Sequence, residues 1–497
     1  MLPFRMGTPD DFATLRDFLR AAGYSTREIC RRYGCETIYD FRTILEGRPA
    51  APELGDPVDV LVRLFMDAEP VECEVVHTLL RPDGLAALRT LALLEEDGRT
   101  GQCRGTVLLY PTEGLVIASD LGARRQSAEA DVVYPAITTN TRRFISSLPT
   151  TPCESFLELC AGTGIAALLA APQARHAWAT DITERSTAYA RFNAALNDIT
   201  NVTAAQGDLY DAVPGLTFDR IVAHPPYMPS SEQRYLFRDG GQDGEQITRR
   251  IVAGLADYLR PGGSFFCTCV LTDRKGAALE DRIRAMLGDR APEFDVIVGL
   301  VASFHPTEYY CRVAVDGRID FDEVGRRHAT FRQLEVDRIV YCSLMLRRRA
   351  ANRPVATVRR QVGPQTRGES FEWLAAWEEA ATDPALAARL LDTSPIATPN
   401  MRMRLLHRPL DGQWMPTECT LETAAPFVAE AKCPPWVAAL IAQCDGTRSV
   451  RELLRFLQEN GAIPPEAPSE EFAQLVQRFI GCGFLEIDGF RQPAVPA

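Results

Sequence analysis

In the first part of the chain, apolar residues recur at helical spacing. Arg16 to Ala22 and Thr26 to Tyr33 read as short helices, and Asp56 to Met66, Val71 to Leu80 and Gly84 to Leu94 as three more. The run Leu93-Leu94-Glu95-Glu96-Asp97-Gly98 closes the last of them with turn chemistry. Alternation then takes over. Gly105-Thr-Val-Leu-Leu-Tyr110 and Gly114-Leu-Val-Ile-Ala118 predict two strands separated by Pro111-Thr112-Glu113.

From Phe156 onward, strand-like runs alternate with helical stretches, the pattern of a parallel doubly wound sheet. The predicted strands are Ser155 to Leu159, His176 to Thr180, Val202 to Ala205, Phe218 to Ala223, Ser264 to Leu271 and Phe294 to Gly299. Arg338 to Leu346 follows an insertion and reads as an antiparallel last strand, making the sheet seven-stranded. Beyond residue 350 come a helical stretch from Ser370 to Leu391 and alternating runs near Met401 to His407 and Gln413 to Leu421. The tail predicts helices at Pro435 to Ile441, up to Leu457, and from Glu470 to Ile480, then the ending Gly483-Phe-Leu-Glu-Ile487. These changes of rhythm divide the chain into 1–120, 121–350, a mixed connecting region 351–430, and 431–497.

A chain of 497 residues exceeds what one core supports, and the 46% hydrophobic and 24% charged residues suit a globular protein. The net charge of −12 repels phosphate backbones, and only short basic runs oppose it, at Arg347 to Arg349 and Arg359-Arg360, so a nucleic-acid partner is not expected. The first residues lack a basic start with an apolar run, and no stretch is long and apolar enough to span a bilayer, so a cytoplasmic protein without a membrane partner is expected. The 14 cysteines form no Cys-x-x-Cys pair, which favours reduced thiols and no metal.

The first chemical signal is Glu158-Leu-Cys-Ala-Gly-Thr-Gly-Ile165, between a strand and a helix. Gly162 and Gly164 let the backbone turn and approach a ligand beside Ala161. Asp181 closes the next strand at about twenty residues' distance, where such folds set a carboxylate on ribose hydroxyls, with Ile182 after it. A third glycine, usual beside a pyrophosphate, is missing, and Glu158 would attract the cationic methionine end of S-adenosylmethionine. After the third strand, Asp208 offers an acceptor to an adenine amino group, with Leu209 against the ring. S-adenosyl-L-methionine is therefore the expected cofactor.

The acceptor chemistry lies in Ala223-His-Pro-Pro-Tyr227, where class I amino-group methyltransferases carry Asn-Pro-Pro-Tyr or Asp-Pro-Pro-Tyr. Pro225 and Pro226 fix the loop, His224 offers an acceptor, and Tyr227 stacks on a planar substrate. An amide or aromatic amine is weakly basic and needs such positioning. From Tyr134 to Leu271 the chain resembles release-factor glutamine methyltransferases, through this loop, Arg238-Asp-Gly-Gly241, Asp243-Gly244 and Leu259-Arg-Pro-Gly-Gly263. The resemblance implies a Rossmann-like class I methyltransferase domain, and it carries Tyr134 and Thr139 over to the segment above the methyl donor. His224 departs from the expected Asn, and an imidazole is also compatible with general-base methylation of a hydroxyl or protonated amine. His305, Glu308 and Tyr309, at the carboxyl end of the sixth strand, are further substrate candidates.

The N-terminal block resembles a winged helix. The tail resembles the small winged-helix modules of the peptide-chaperone type from pyrroloquinoline quinone biosynthesis, through Asp445-Gly446-Thr447, Val450, Leu453-Leu454 and Gly483-Phe484-Leu485. The expected function is methyl transfer to nitrogen or oxygen of a small molecule or peptide. The alternatives are an RNA or DNA base or protein glutamine as acceptor, and a catalytically silent regulator that binds the cofactor.

Overall fold

The computed structural model describes residues 2–41, 54–121, 129–230, 235–315 and 321–493. The chain opens with α1 (Pro9–Ala21) and α2 (Thr26–Tyr33). α1 starts earlier than its apolar spacing suggests, because Thr8 and Asp11 form a capping box with Pro9 in the first turn. Next come α3 (Pro57–Phe65), β1 (Val71–Glu72), α4 (Cys73–Leu79), α5 (Pro82–Thr90), β2 (Leu94–Asp97) and β3 (Gln102–Gly105), with strands ordered β1-β3-β2. Two expectations are corrected here. The predicted helix from Val71 begins as a strand, and Leu94 to Asp97 is a strand paired with β3, the turn falling after Asp97.

β4 (Val107–Thr112) and β5 (Leu115–Asp120) form a separate hairpin that includes Pro111, with the turn at Glu113 and Gly114. This hairpin docks on the central domain through two asparagines one helical turn apart. Asn193 accepts from the Ala118 N–H and donates to the Ala118 carbonyl, and Asn197 does the same at Val116. Asp120 at the hairpin's end takes both arms of the Arg185 guanidinium and the Tyr189 hydroxyl. The N-terminal core is therefore continuous with one face of the central domain, reaching Ile165, Leu168, Tyr189, Phe192 and Leu196.

The central domain runs α6 (Thr139–Ser146), β6 (Cys153–Leu159), α7 (Ile165–Ala170), β7 (Ala174–Asp181), α8 (Glu184–Leu196), β8 (Val202–Gln206) and β9 (Phe218–Ala223). It continues through α9 (Gln246–Tyr258), β10 (Leu259–Arg274), α10 (Leu279–Leu287), β11 (Phe294–Phe304), α11 (Pro306–Val315), α12 (Phe321–Gln333) and β12 (Val336–Arg348). With β13 (Thr357–Gln361) at one edge, the sheet order is β13-β11-β12-β10-β9-β6-β7-β8, and β12 is antiparallel to both neighbours as expected. The sheet has eight strands, because β13 pairs parallel to β11 beyond the boundary expected at residue 350. The order reverses between β6 and β9, so their carboxyl ends open the crevice where this class of sheet binds ligands.

α13 (Gly368–Ala381) packs on the sheet face that also carries α6, α7 and α8, while α9 and α10 cover the other. Phe371 packs against Phe266 and over Gly299, where a Cβ would come within 2.6 Å of its ring. A break at Asp383-Pro384 splits the predicted single helix into α13 and α14 (Leu386–Leu390). The rest is β14 (Ile396–Ala397), β15 (Arg402–Leu410), β16 (Gln413–Thr423), β17 (Ala429–Cys433), α15 (Trp436–Ala442), α16 (Val450–Glu459), α17 (Ser469–Gly481) and β18 (Leu485–Glu486). A three-stranded antiparallel sheet, β15-β16-β17, packs with these three helices around their own core.

Candidate functional site

The glycine loop leaves β6 through backbone that only small or strained residues adopt. Cys160 (φ 55°), Gly162 (φ 53°) and Gly164 (φ 77°) all lie in the left-handed region. A Cβ on Gly164 would come 2.9 Å from that of Ala190, so this glycine lets α7 approach α8. A Cβ on Gly162 would meet nothing within 4 Å, which leaves open space in front of the loop. The Ala161 N–H donates to the Thr180 carbonyl at 3.0 Å, tying the loop to β7.

Asp181 ends β7 half-buried and accepts from the Gly162 N–H (3.0 Å) and the Thr183 N–H (3.1 Å). Burial pushes its pKa above the usual carboxylate value. Ile182 beside it is 50% exposed, an apolar surface at the rim of the crevice. Asp208 is partly exposed and receives the Arg250 guanidinium at 2.9 Å through one oxygen, while its other oxygen makes no hydrogen bond among the described residues. Leu209 follows in the left-handed region at φ 55°. Space at Gly162, carboxylates at 181 and 208 and apolar faces at 182 and 209 fit a nucleoside with a flat base.

Glu158 binds the loop to the helix that follows it. Its carboxyl is buried, and its two oxygens accept the Ala166 (3.2 Å) and Ala167 (2.8 Å) N–H groups at the start of α7. Burial pushes its pKa up to about 8. It closes the loop onto the helix start, where it meets two N–H groups that the helix itself leaves unpaired.

The acceptor loop follows β9. The His224 ring lies between Phe144 (5.2 Å between centroids) and Tyr227 (5.7 Å) and makes no hydrogen bond among the described residues. Burial pushes its pKa down to about 4, so the imidazole is neutral at pH 7 and holds a free acceptor nitrogen. Such a group is a weaker base than the sequence alone suggests. The segment after the loop backs it closely. The Met228 N–H donates to the Arg238 carbonyl and the Gly240 N–H returns to the Met228 carbonyl. A Cβ on Gly240 would fall 2.7 Å from the Pro226 carbonyl oxygen, and one on Gly244 2.5 Å from that of Tyr227, which accounts for both glycines. Pro225 is buried inside this double layer.

Sequence reasoning missed three side chains. Asn140 donates to the Tyr227 hydroxyl (2.8 Å) and accepts from the Tyr341 hydroxyl (2.9 Å), and the Phe144 ring packs, tilted by 30°, against His224. Asn140 and Phe144 share one face of α6, four residues apart, and Tyr341 is the polar aromatic in the apolar run of β12. That helical spacing after the Thr138 cap was the available signal. Thr139 is exposed at the first position of α6. Tyr134 stacks on Phe237 at 4.9 Å, which joins the segment before the sheet to the one after the acceptor loop. Of the β11 candidates only Tyr309 reaches the loop, its hydroxyl 3.9 Å from the Met228 sulfur. His305 and Glu308 face solvent. The exposed His305 ring accepts the Thr307 N–H at the start of α11, and Glu308 pairs in solvent with Arg312 at 3.2 Å.

Residues 135–286 match the family model of the methyltransferase small domain. The release factor glutamine methyltransferase of Moorella thermoacetica is 36% identical over 152 residues, 27% of this chain and 52% of that protein. The ribosomal protein uL3 glutamine methyltransferase of Bradyrhizobium diazoefficiens is 31% identical over 131 residues, 24% of this chain and 41% of that protein. The chain thus spans about half the length of the curated relatives it matches. The solved ribosomal protein L11 methylase of Lactobacillus delbrueckii subsp. bulgaricus aligns over 42% of this chain and 77% of its own, at 17% identity and a TM-score of 0.25. With the switch-point crevice and the fit of the nucleoside cradle, the family match identifies residues 135–286 as a methyltransferase small domain of the S-adenosylmethionine-dependent methyltransferase family.

Proposed function

We propose that this chain transfers a methyl group from S-adenosylmethionine to an amide or amine nitrogen of a peptide or small molecule, held at His224-Pro-Pro-Tyr227. The observation that carries this reading is the neutral, half-buried His224 ring between Phe144 and Tyr227. Gly162, Asp181 and Asp208 would hold the donor, with Ile182 and Leu209 against its base. When bound, the donor supplies an electrophilic methyl on a sulfonium. The acceptor nitrogen would be held with its lone pair toward that methyl. His224 accepts the N–H hydrogen bond that aims the lone pair, and Tyr227, fixed by Asn140, flanks the planar group. An imidazole with a pKa of about 4 is poorly suited to deprotonating a hydroxyl, which favours nitrogen over oxygen. Glutamine in a protein, the acceptor named for the relatives, is the first candidate.

Nucleic acid as acceptor is less well supported. Of the basic runs, Arg347, Arg348, Arg359 and Arg360 each stand against a carboxylate, at Glu379, Glu293, Glu280 and Glu378. The helix, strand, helix, helix, hairpin order from α3 to β3 supports a winged-helix reading. Its third helix, α5, faces inward: a Cβ on Gly84 would sit 2.2 Å from the Phe18 ring of α1. That packing supports a scaffold over a DNA reader. The order sheet then three helices in the tail supports the peptide-chaperone resemblance, and with it a peptide substrate. Incubating the full chain with methyl-labelled donor and glutamine-containing peptides tests the reading. Label on the side-chain amide is expected, and donor binding without transfer to any nitrogen acceptor would favour a silent regulator.

A further inference from the structure

In the N-terminal module the Sγ atoms of Cys73 and Cys103 lie 2.7 Å apart. Cys73 is the first residue of α4, and Cys103 lies in β3. Their backbones are already fixed to each other. Val71 pairs with Cys103, Glu72 pairs with Gln102, and the Cys73 N–H donates to the Gly101 carbonyl at 2.9 Å. From 2.7 Å, a bond of about 2.05 Å asks the two sulfurs to approach by less than about 1 Å. Cys103 is wholly buried, and Cys73 is only half-buried, so a reagent meets Cys73 first.

The surroundings exclude the obvious alternative. His77, Glu96 and Cys103 converge within 4.8 Å, a set that could ligate a metal ion. The Arg89 guanidinium, however, donates to the His77 ring nitrogen and to Glu96 at 2.8 Å each. A cation therefore already fills this corner, and the two thiols are left with each other. The buried pair Cys269 and Cys342 is the contrast: its sulfurs are 4.0 Å apart, and neither can meet a reagent.

We propose that Cys73 and Cys103 form a reversible disulfide by exchange with a low-molecular-weight disulfide such as oxidised glutathione. The Cys73 thiol loses its proton and attacks one glutathione sulfur, releasing one glutathione. The Cys103 thiol then loses its proton and attacks the Cys73 sulfur, releasing the second. Two protein thiols are oxidised and one glutathione disulfide is reduced. The new bond fastens α4 to β3 and closes a loop holding α5 and the β2–β3 hairpin, so the oxidised module opens less readily.

The test treats the full-length reduced chain with oxidised glutathione, blocks free thiols and maps the peptides by mass. The expected result is a linked Cys73–Cys103 peptide, lighter by two hydrogens and released by dithiothreitol. Glutathione retained on Cys73 with Cys103 free would overturn the proposal, as would both thiols blocked only after unfolding. In Cys73→Ser, which should bind donor as the parent chain does, loss of all modification at Cys103 is expected. A glutathione adduct on Cys103 in that folded variant would contradict the assigned order of attack.

Discussion

The two halves of the crevice are built by different means. The proposed donor half comes from one stretch, with Gly162, Asp181 and Asp208 at the ends of three consecutive strands, β6, β7 and β8. The proposed acceptor half is assembled from distant parts: His224 and Tyr227 after β9, Asn140 and Phe144 on α6, Tyr341 on β12 and Tyr309 on α11. A site made from consecutive strand ends can keep its ligand while its other half changes. The distributed half is where an acceptor can be exchanged, and it is where this chain carries His224 in place of the expected Asn.

That contrast can be broken by substitutions on either side. Asp181→Ala should produce the largest effect, a loss of donor affinity of about 100-fold or more in calorimetry, since it removes a charged acceptor and frees the Gly162 N–H. Next, His224→Ala should leave donor affinity within about twofold and lower turnover by roughly 100-fold. Unchanged turnover would remove His224 from the acceptor site. Asn140→Ala should lower turnover by about tenfold, the cost of one hydrogen bond in positioning, again with donor affinity kept. The smallest effect on donor affinity is expected from Glu158→Gln, which removes a carboxylate already committed to α7; a large loss there would restore its role toward the cation.

A pH series sharpens the same comparison. The His224 pKa is held at about 4, below the ordinary value of about 6.5, so the unfolded chain takes up a proton that the native state refuses. The resulting stabilisation is full above about pH 6.5 and fades as pH falls toward 4. His224→Gln, which cannot titrate, should flatten that part of the stability curve in denaturant melts. An identical slope would mean that the ring is not buried.

What was legible follows the same division. The glycine loop, the acids after β7 and β8 and the Pro-Pro-Tyr turn are local patterns, and each lies where its neighbours in sequence put it. Glu158 is ambiguous in the sequence because a carboxylate before a glycine loop can serve a ligand or the helix start, and its burial and its two N–H partners come only with the fold. His305 and Glu308 followed from topology, which placed the end of β11 correctly but not which face of α11 turns inward. Asn140 and Tyr341 lie on elements far apart in the chain, and only the closed sheet brings their side chains together at Tyr227. The eighth strand was hidden because Thr357 to Gln361 is polar and edge-like, without the continuous apolar run of a central strand.

The most direct test is a calorimetric titration of S-adenosylmethionine into the full chain, its Asp181→Ala variant and its His224→Ala variant. Stoichiometric binding to the first and third is expected, and binding weaker by about 100-fold or more to the second. Binding that ignores Asp181, or no binding to the parent chain, would contradict it.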